Sequence, residues 1–302
     1  MRSARVATEE HVPHTMSRMG DVLAGFHAVW EFESDSVLIR YERGIRTPKL
    51  FQALGERRVP LAAVEEVTLT PGKRGSVALR LRPRPGADPL MDAAAGQLRE
   101  GSDPYRLVLP AERATLAEYY ADELRPLLAG SGPEPPERYL VAAPQAPLQF
   151  KAYDAKAVFD GTRVHFRWSW TGASSAKWKA GDQSWAVTEL SAVEWRSPEA
   201  FEGHLRLVPR DGGSTPPAQP DQDPAAVVFG LGYGPVHESL PFAAAVLAAL
   251  RSRGPVPVAP VPARRDPADI AERIRHLGEL HQAGLVTDEE FSSKKAELLA
   301  EL

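Results

Sequence analysis

Apolar and polar residues alternate with a period of two in "SVLIRY" (Ser36–Tyr41), "VEEVTLTP" (Val64–Pro71) and "SVALRLRP" (76–83). Glycine, proline and charged residues separate these runs, so the pattern predicts half-buried strands joined by turns. Further short strands fit at Ala28–Phe32, Lys49–Leu54, 57–61 and 105–109. The period then changes. In "AERATLAEYYADELRPLL" Leu116, Tyr119, Tyr120, Leu124 and Leu127 recur at helical spacing, which predicts an amphipathic helix. A second helix is predicted at "ESLPFAAAVLAALR" (238–251).

The two helices close two copies of one pattern. "AVWEF" at 28–32 is echoed by "AVFDG" at 157–161, and "LAAVEEV" from Leu61 by "LSAVEW" from Leu190. "LRLRPR" at 79–84 returns as "LRLVPR" at 205–210, and "DPYRLVL" at 103–109 as "DPAAVVF" at 223–229. Four matches in one order, at offsets between 120 and 129 residues, indicate an internal duplication. About seven short antiparallel strands and one C-terminal helix per copy is the plan of a pleckstrin-homology-like (PH-like) barrel. In such a barrel the helix plugs an open end of the curled sheet and buries its apolar surface. The fold class expected is therefore mainly β with α: two tandem PH-like barrels and a C-terminal helical hairpin. The repeats resemble an actinobacterial domain of unknown function that occurs in duplicate and is grouped with bacterial PH-like domains. That resemblance covers nearly all of residues 20–252 and implies a fold without an established activity.

The segments flanking the repeats differ in composition. Residues 1–19 have no apolar central segment and are expected to be a disordered leader, with Met16 or Met19 as alternative starts. Repeat 1 is assigned to 20–129, a proline-rich connector to 130–148 in which Tyr139 and Leu140 pin the chain to a barrel, and repeat 2 to 149–252. A second proline-rich stretch, 253–265, favours extended polyproline geometry and holds the last segment, 266–302, at a distance.

That last segment carries strong local helix signals. Asp266 is placed to cap a first helix with Pro267 in its first position, and Gly284 suits the left-handed residue that ends it. Thr287 and Glu290 form a capping box for a second helix, flanked by Val286 and Phe291 as a hydrophobic staple. The apolar stripe comprises Ile270, Ile274, Leu277, Leu285, Phe291, Leu298 and Leu299, with Leu280, His281 and Leu302 adjoining it. "GLVTDEEFSSKKAELL" resembles the short C-terminal domain called SHOCT, and the likeness spans 267–299. The resemblance implies oligomerisation or partner docking. A segment of under ~40 residues buries too little surface to fold alone, so the stripe is expected to meet another surface.

Composition narrows the function classes. The chain has 302 residues, a formal charge of −4, 43% hydrophobic residues and 28 prolines. A slightly acidic chain does not suit nucleic acid as its main partner. With no cysteine there is no disulfide, thiolate metal site or thiol nucleophile, which suits the cytoplasm. The longest unbroken apolar run, 242–250, is far below the ~20 residues that span a bilayer.

Several stretches invite a chemical reading. His276 and His281 are five apart, which misses the i, i+4 face of a helical zinc pair; His165 and His204 fall on predicted strands, and no metal site is expected. "PGKRG" (71–75) offers Lys73 and Arg74 to an anion but lacks the phosphate-loop pattern and precedes a strand, so a hairpin turn is expected. "RWSWTGASSAKWKAGDQSW" (167–185) holds four of the six tryptophans, with Lys177, Trp178 and Lys179 among them. It suits a barrel core with its lysines facing water, a protein-binding patch, or stacking on bases or lipid headgroups. Trp168 and Trp170 are expected to point inward from one strand. The arginines of "LRLRPR" and "GHLRLVPR" are expected to pair across strands with Glu65, Glu66 and Glu194. No catalytic trio, nucleotide loop or cofactor motif stands out. The expectation is a non-enzymatic cytoplasmic adaptor that self-associates or recruits a protein through its tail. The alternative is a PH-like module contacting anionic lipid or a phosphorylated ligand through Lys73, Arg74, Lys177 and Lys179.

Overall fold

In a computed structural model of the chain, the described residues are 21–128, 135–210 and 219–252, together with Ser292 and Lys295 of the tail, both helical. The chain divides into two units, residues 1–255 and 256–302.

Within the first unit, repeat 1 opens with β1 (Asp21–Ala24), β2 (Ala28–Phe32) and β3 (Ser36–Tyr41), followed by the short helix α1 (Lys49–Leu54) and β4 (Glu56–Pro60). These strands form one antiparallel sheet in sequence order. A second sheet holds β5 (Val64–Pro71), β6 (Val77–Pro83) and β7 (Arg106–Leu109), with helix α2 (Pro89–Ala94) between β6 and β7. Helix α3 (Ala114–Leu128) follows. Repeat 2 has the same two sheets: β8 (Leu148–Lys151), β9 (Ala155–Phe159), β10 (Arg163–Trp168), α4 (Ser175–Ala180) and β11 (Gln183–Ala186), then β12 (Leu190–Arg196), β13 (His204–Pro209) and β14 (Ala226–Val228). It ends in α5 (Val236–Arg251).

In β2 and β9 alternate residues find a core, whereas β3 is buried at every position but Arg40. Ala28, Trp30 and Phe32 of β2 are buried, and Ala155, Ala157 and Phe159 of β9 repeat that pattern. The sheets of each repeat meet at one point, where Phe26 N–H donates to Val108 O (2.7 Å) and Tyr153 N–H to Val228 O (3.0 Å). Seven antiparallel strands and a closing helix per repeat match the expected count.

One predicted strand is a helix. In "KLFQAL" the apolar residues stand at 50, 51 and 54, which is helical spacing, and Gly55 closes α1 with φ +65°. Gly181 does the same for α4 at φ +71°. The count of seven survives because β1 replaces the lost strand. On α3, Tyr120 and Leu124 are buried as expected, but Leu116, Tyr119 and Leu127 are largely exposed. The inward face is Ala117, Tyr120, Ala121, Leu124 and Leu128, since two alanines let the helix lie close to the sheet.

The registers also adjust the duplication. Phe32 opposes Val37 and Phe159 opposes Val164, so Phe159 is the counterpart of Phe32 and the first pairing above is two residues out of step. Both β5 and β12 begin with a bulge, after Val64 and after Leu190, which makes Leu190 the counterpart of Val64 and not of Leu61. Leu79 and Leu205 do correspond, as do Leu107 and Val227. The offset falls at the end because the β6–β7 connection is longer than the β13–β14 connection. The longer connection carries α2, which has no counterpart among the described residues of repeat 2.

Helix α2 joins the repeats. Its Leu90, Ala93 and Ala94 belong to the core of repeat 2, as does Leu50 of α1, and both helices contact α5. Eight consecutive residues of α5, 239–246, are buried, so the helix is covered all round. Just beyond α2, the Gln97 side chain donates to Trp195 O and accepts from Ser197 N–H, each at 2.9 Å. At the end of α5, Arg251 donates to Gly86 O (2.8 Å) and to Pro136 O, and its guanidinium lies 4.6 Å from the Tyr139 ring centre. The connector is thus held by both repeats: Leu140 and Val141 N–H donate to Ala87 O, while Tyr139 sits under Arg251.

Asp88 fastens α2 to its own repeat. Its buried carboxylate accepts from Arg57 (2.6 Å), from the Tyr105 hydroxyl (2.5 Å) and from Leu90 N–H (3.0 Å), so it caps the helix and neutralises a buried cation together. Asp88→Asn is expected to lower stability in urea unfolding by about 3–5 kcal/mol, because it strands the Arg57 charge in the interior. Replacing both partners with apolar residues, Arg57→Met with Asp88→Leu, is expected to cost less than the sum of the single changes.

Candidate functional site

Lys73 and Arg74 lie on a three-residue turn between β5 and β6, and both are exposed. Gly72 N–H donates to Ser76 O (2.7 Å) and Ser76 Oγ to Lys73 O (2.7 Å), so the segment is a hairpin turn.

The tryptophan-rich stretch splits into core and surface. Trp168 ends β10 and is buried, with its indole N–H donating to Gly181 O (2.6 Å). The strand stops there, because Ser169 turns the chain and accepts the N–H groups of Gly172 and Ala173. Trp170 therefore leaves the sheet, in place of pointing inward beside Trp168. It stands 39% exposed and packs edge-on against Trp178 of α4, with ring centres 5.2 Å apart.

Lys177 is neither a water-facing lysine nor an anion contact. Its side chain is fully buried, and Nζ donates to Asp154 (2.5 Å), Pro220 O (2.7 Å) and Ala226 O (2.8 Å) while lying 5.1 Å from the Trp168 ring centre. Burial pulls the Lys177 ammonium below its ordinary range and pushes the Asp154 carboxyl up, and each partner's charge opposes those shifts. The same place in repeat 1 is aromatic: Phe51 of α1 stacks on Tyr41 at 4.9 Å. Ser174 caps α4 and turns Lys177 inward, leaving Lys179 exposed and Trp178 half-buried. Lys73 and Arg74 thus sit on one repeat and Lys179 on the other, while Lys177 is buried inside repeat 2.

A cleft of about 590 Å³ opens where the repeats meet. Repeat 1 supplies residues 48–50 at the start of α1, together with Ser102. Repeat 2 supplies the β12–β13 loop (198–203) and the segment 229–237 that leads into α5. Phe201 is 83% exposed, Leu231 is fully exposed and Tyr233 is partly so. The 230–233 turn is tight, with Tyr233 N–H donating to Gly230 O (2.9 Å), and the Tyr233 ring is backed edge-on by Tyr153. Among the described residues the Lys49 ammonium has no hydrogen-bond or ion-pair partner. Glu199 is held by Arg99 (2.8 Å), and Glu202 is exposed. His237 lies in the first turn of α5, 3.6 Å from Glu238; burial holds its pKa below the usual histidine value, Glu238 opposing and Lys49 adding to the shift.

Phe201, Leu231, Tyr233, Lys49 and His237 were not singled out from sequence. The signal lay in comparing the repeats at the corrected registers: Phe201 stands where repeat 1 has Gly75, and "GLGYGP" (230–235) where repeat 1 has "PAER" (110–113). Ile270, Ile274, Leu277, Leu285, Phe291, Leu298 and Leu299 lie outside the described residues. Among the described residues no group of three or more histidine, cysteine, aspartate or glutamate side chains could hold a metal ion, and no helix is long and apolar enough to cross a membrane. His204 Nδ1 lies 2.7 Å from Glu202 O, and the His165 side chain is partly exposed near Asp160.

Compared with known families, residues 30–125 and 157–247 each match the model of a domain of unknown function, DUF4429. Residues 272–299 match the model of the short C-terminal domain, SHOCT. No curated protein matches the chain.

Lys177→Ala is expected to lower stability in urea unfolding by about 3–5 kcal/mol, because it leaves the Asp154 charge uncompensated in the interior. Lys179→Ala, at an exposed position, is expected to change it by under ~0.5 kcal/mol. His237 contributes stability that is present above about pH 6.5 and is lost as pH falls through its lowered folded value, since acid must charge a group that folding keeps neutral. His237→Gln is expected to flatten that acid-side loss in urea midpoints recorded from pH 7 downward.

Proposed function

The chain belongs to the DUF4429 family, whose domain it carries twice ahead of a short C-terminal domain, and from that premise we propose that it is a non-enzymatic cytoplasmic adaptor. The two repeats, read as PH-like barrels, form its body, and the tail joins copies or recruits a protein partner. The observation that carries this reading is the tail: a short C-terminal domain, commonly a protein-interaction module, set behind a proline-rich stretch and too small to bury a core of its own. The apolar stripe of Ile270, Ile274, Leu277, Leu285, Phe291, Leu298 and Leu299 is the surface assigned to that contact. The lipid-contact reading loses a member, since Lys177 is committed to Asp154 inside repeat 2.

Light scattering on the full chain and on a chain ended at Ser252 tests the proposal. The full chain is expected to exceed its single-copy mass of 32.9 kDa, or to bind a host protein in a tail-dependent way, and the shortened chain to do neither. A full chain that stays at single-copy mass and gains no partner through its tail overturns the reading.

A further inference from the structure

We infer that the cleft between the repeats is a second interaction site, which takes an extended segment of a partner protein bearing apolar side chains and one carboxylate. The inference does not rest on the tail, since every residue it uses lies in repeat 1 or repeat 2.

The duplication supplies an internal control. Both repeats build the same sheets and closing helix, so the residues the fold requires recur in both. At the corner formed by the β5–β6 turn and the β7–α3 connection, repeat 1 is glycine-rich and polar: "PGKRG" (71–75) and "PAER" (110–113). Repeat 1 folds without a large apolar side chain there. The corresponding corner of repeat 2 places Phe201 and Leu231 almost entirely in water and Tyr233 partly so. Exposed large apolar side chains gathered at one cleft mark a surface that another molecule covers. That corner of repeat 2 is also the one that faces repeat 1 across the cleft, where ligand sites between domains commonly form.

The chemistry of the occupant follows from the lining. Phe201, Leu231 and Tyr233 call for apolar side chains, and the spread of the cleft over two loops and the start of α1 suits an extended segment. Lys49 supplies a cation without a hydrogen-bond or ion-pair partner among the described residues. Glu199 is already engaged by Arg99, while Glu202 leaves one negative charge on the β12–β13 loop. A carboxylate placed at Lys49 therefore meets its complement, and a strongly acidic segment is disfavoured by Glu202. Positions 201 and 231 are exposed loop tips, so replacing them leaves the core intact.

A displayed library of random nine-residue peptides, panned against the immobilised full chain, tests the site. Enriched peptides are expected to combine two or more apolar residues with one Asp or Glu. Titrated by fluorescence polarisation, such a peptide is expected to bind Phe201→Ser/Leu231→Ser at least ~10-fold more weakly than the wild type. Lys49→Gln is expected to weaken it several-fold, and to leave unchanged the binding of the same peptide with its carboxylate converted to the amide. Unchanged circular dichroism and urea midpoints of both variants keep the comparison free of folding effects. Three results overturn the inference: no enrichment over an unrelated protein, enriched peptides whose binding ignores these substitutions, or loss of self-association in Phe201→Ser/Leu231→Ser, which would assign the cleft to a second copy. Peptides that bind the wild type and the cleft variants equally but fail on a chain ended at Ser252 would report on the tail and overturn the cleft while leaving the adaptor reading in place.

Discussion

The buried carboxylate of Asp88 sets the geometry on which the two-repeat body depends. Three groups converge on it: the Arg57 guanidinium, the Tyr105 hydroxyl and the first free N–H of α2. The helix it caps has only six residues, too few to persist without tertiary support. Held there, α2 presents Leu90, Ala93 and Ala94 to the core of repeat 2 and leads the chain to Gln97, which bonds the end of β12. A charge pair inside one repeat thereby fixes the position of the neighbouring repeat. A buried ion pair is seldom the cheapest way to gain stability, because desolvation offsets most of the attraction. What it supplies here is a single position for a short helix that apolar contacts alone would locate less sharply.

The faces that build this junction differ from their counterparts in the other repeat. With the inward residues Tyr120 and Phe242 equated, and likewise Leu124 and Val246, the buried Leu240 and Ala244 of α5 correspond to Glu118 and Asp122 of α3, both exposed. On the facing side, Leu50 and Leu54 of α1 correspond to Ala176 and Ala180 of α4. Each contact surface used between the repeats is therefore apolar on one copy and small or charged on the other. A further repeat added at either end would meet carboxylates or alanines in place of leucines.

Much of this was legible in the letters. Three of the predicted strands of repeat 1 coincide with β2, β3 and β5, although only β2 alternates in burial; β3 is buried at every position but Arg40. What failed had physical causes. "KLFQAL" was short enough to pass for a strand, although its 50, 51, 54 spacing is helical. Tyr119 drew attention from Ala117 and Ala121, since the contact with the sheet needed small residues and not large ones. Trp170 was placed inside because alternation was carried one step past the end of β10. The apolar run 242–250, read above only for its length against a bilayer, falls in α5, where residues 239–246 are all buried. Lys177 was beyond reach: its partners come from residues 154, 220 and 226, and nothing local distinguishes it from the exposed Lys179 two positions on.

The asymmetry between the repeats locates function more sharply than their likeness. Duplication hands both copies the same sheets, so every departure that the fold does not require is open to another use. Some departures exchange one core solution for another, as where Phe51 on Tyr41 becomes Lys177 over Trp168. Others build the junction, as α2 does. Others again, Phe201, Leu231 and Tyr233 among them, leave apolar surface in water and join neither core. Their cleft has one wall from each repeat, and those walls are held together by the α2 contact and by the Gln97 and Arg251 hydrogen bonds. A segment entering such a site orders little besides itself, which lowers the entropic cost of binding relative to two repeats on a loose tether. The rigidity that Asp88 begins thus reaches a surface of repeat 2 that departs from the needs of folding.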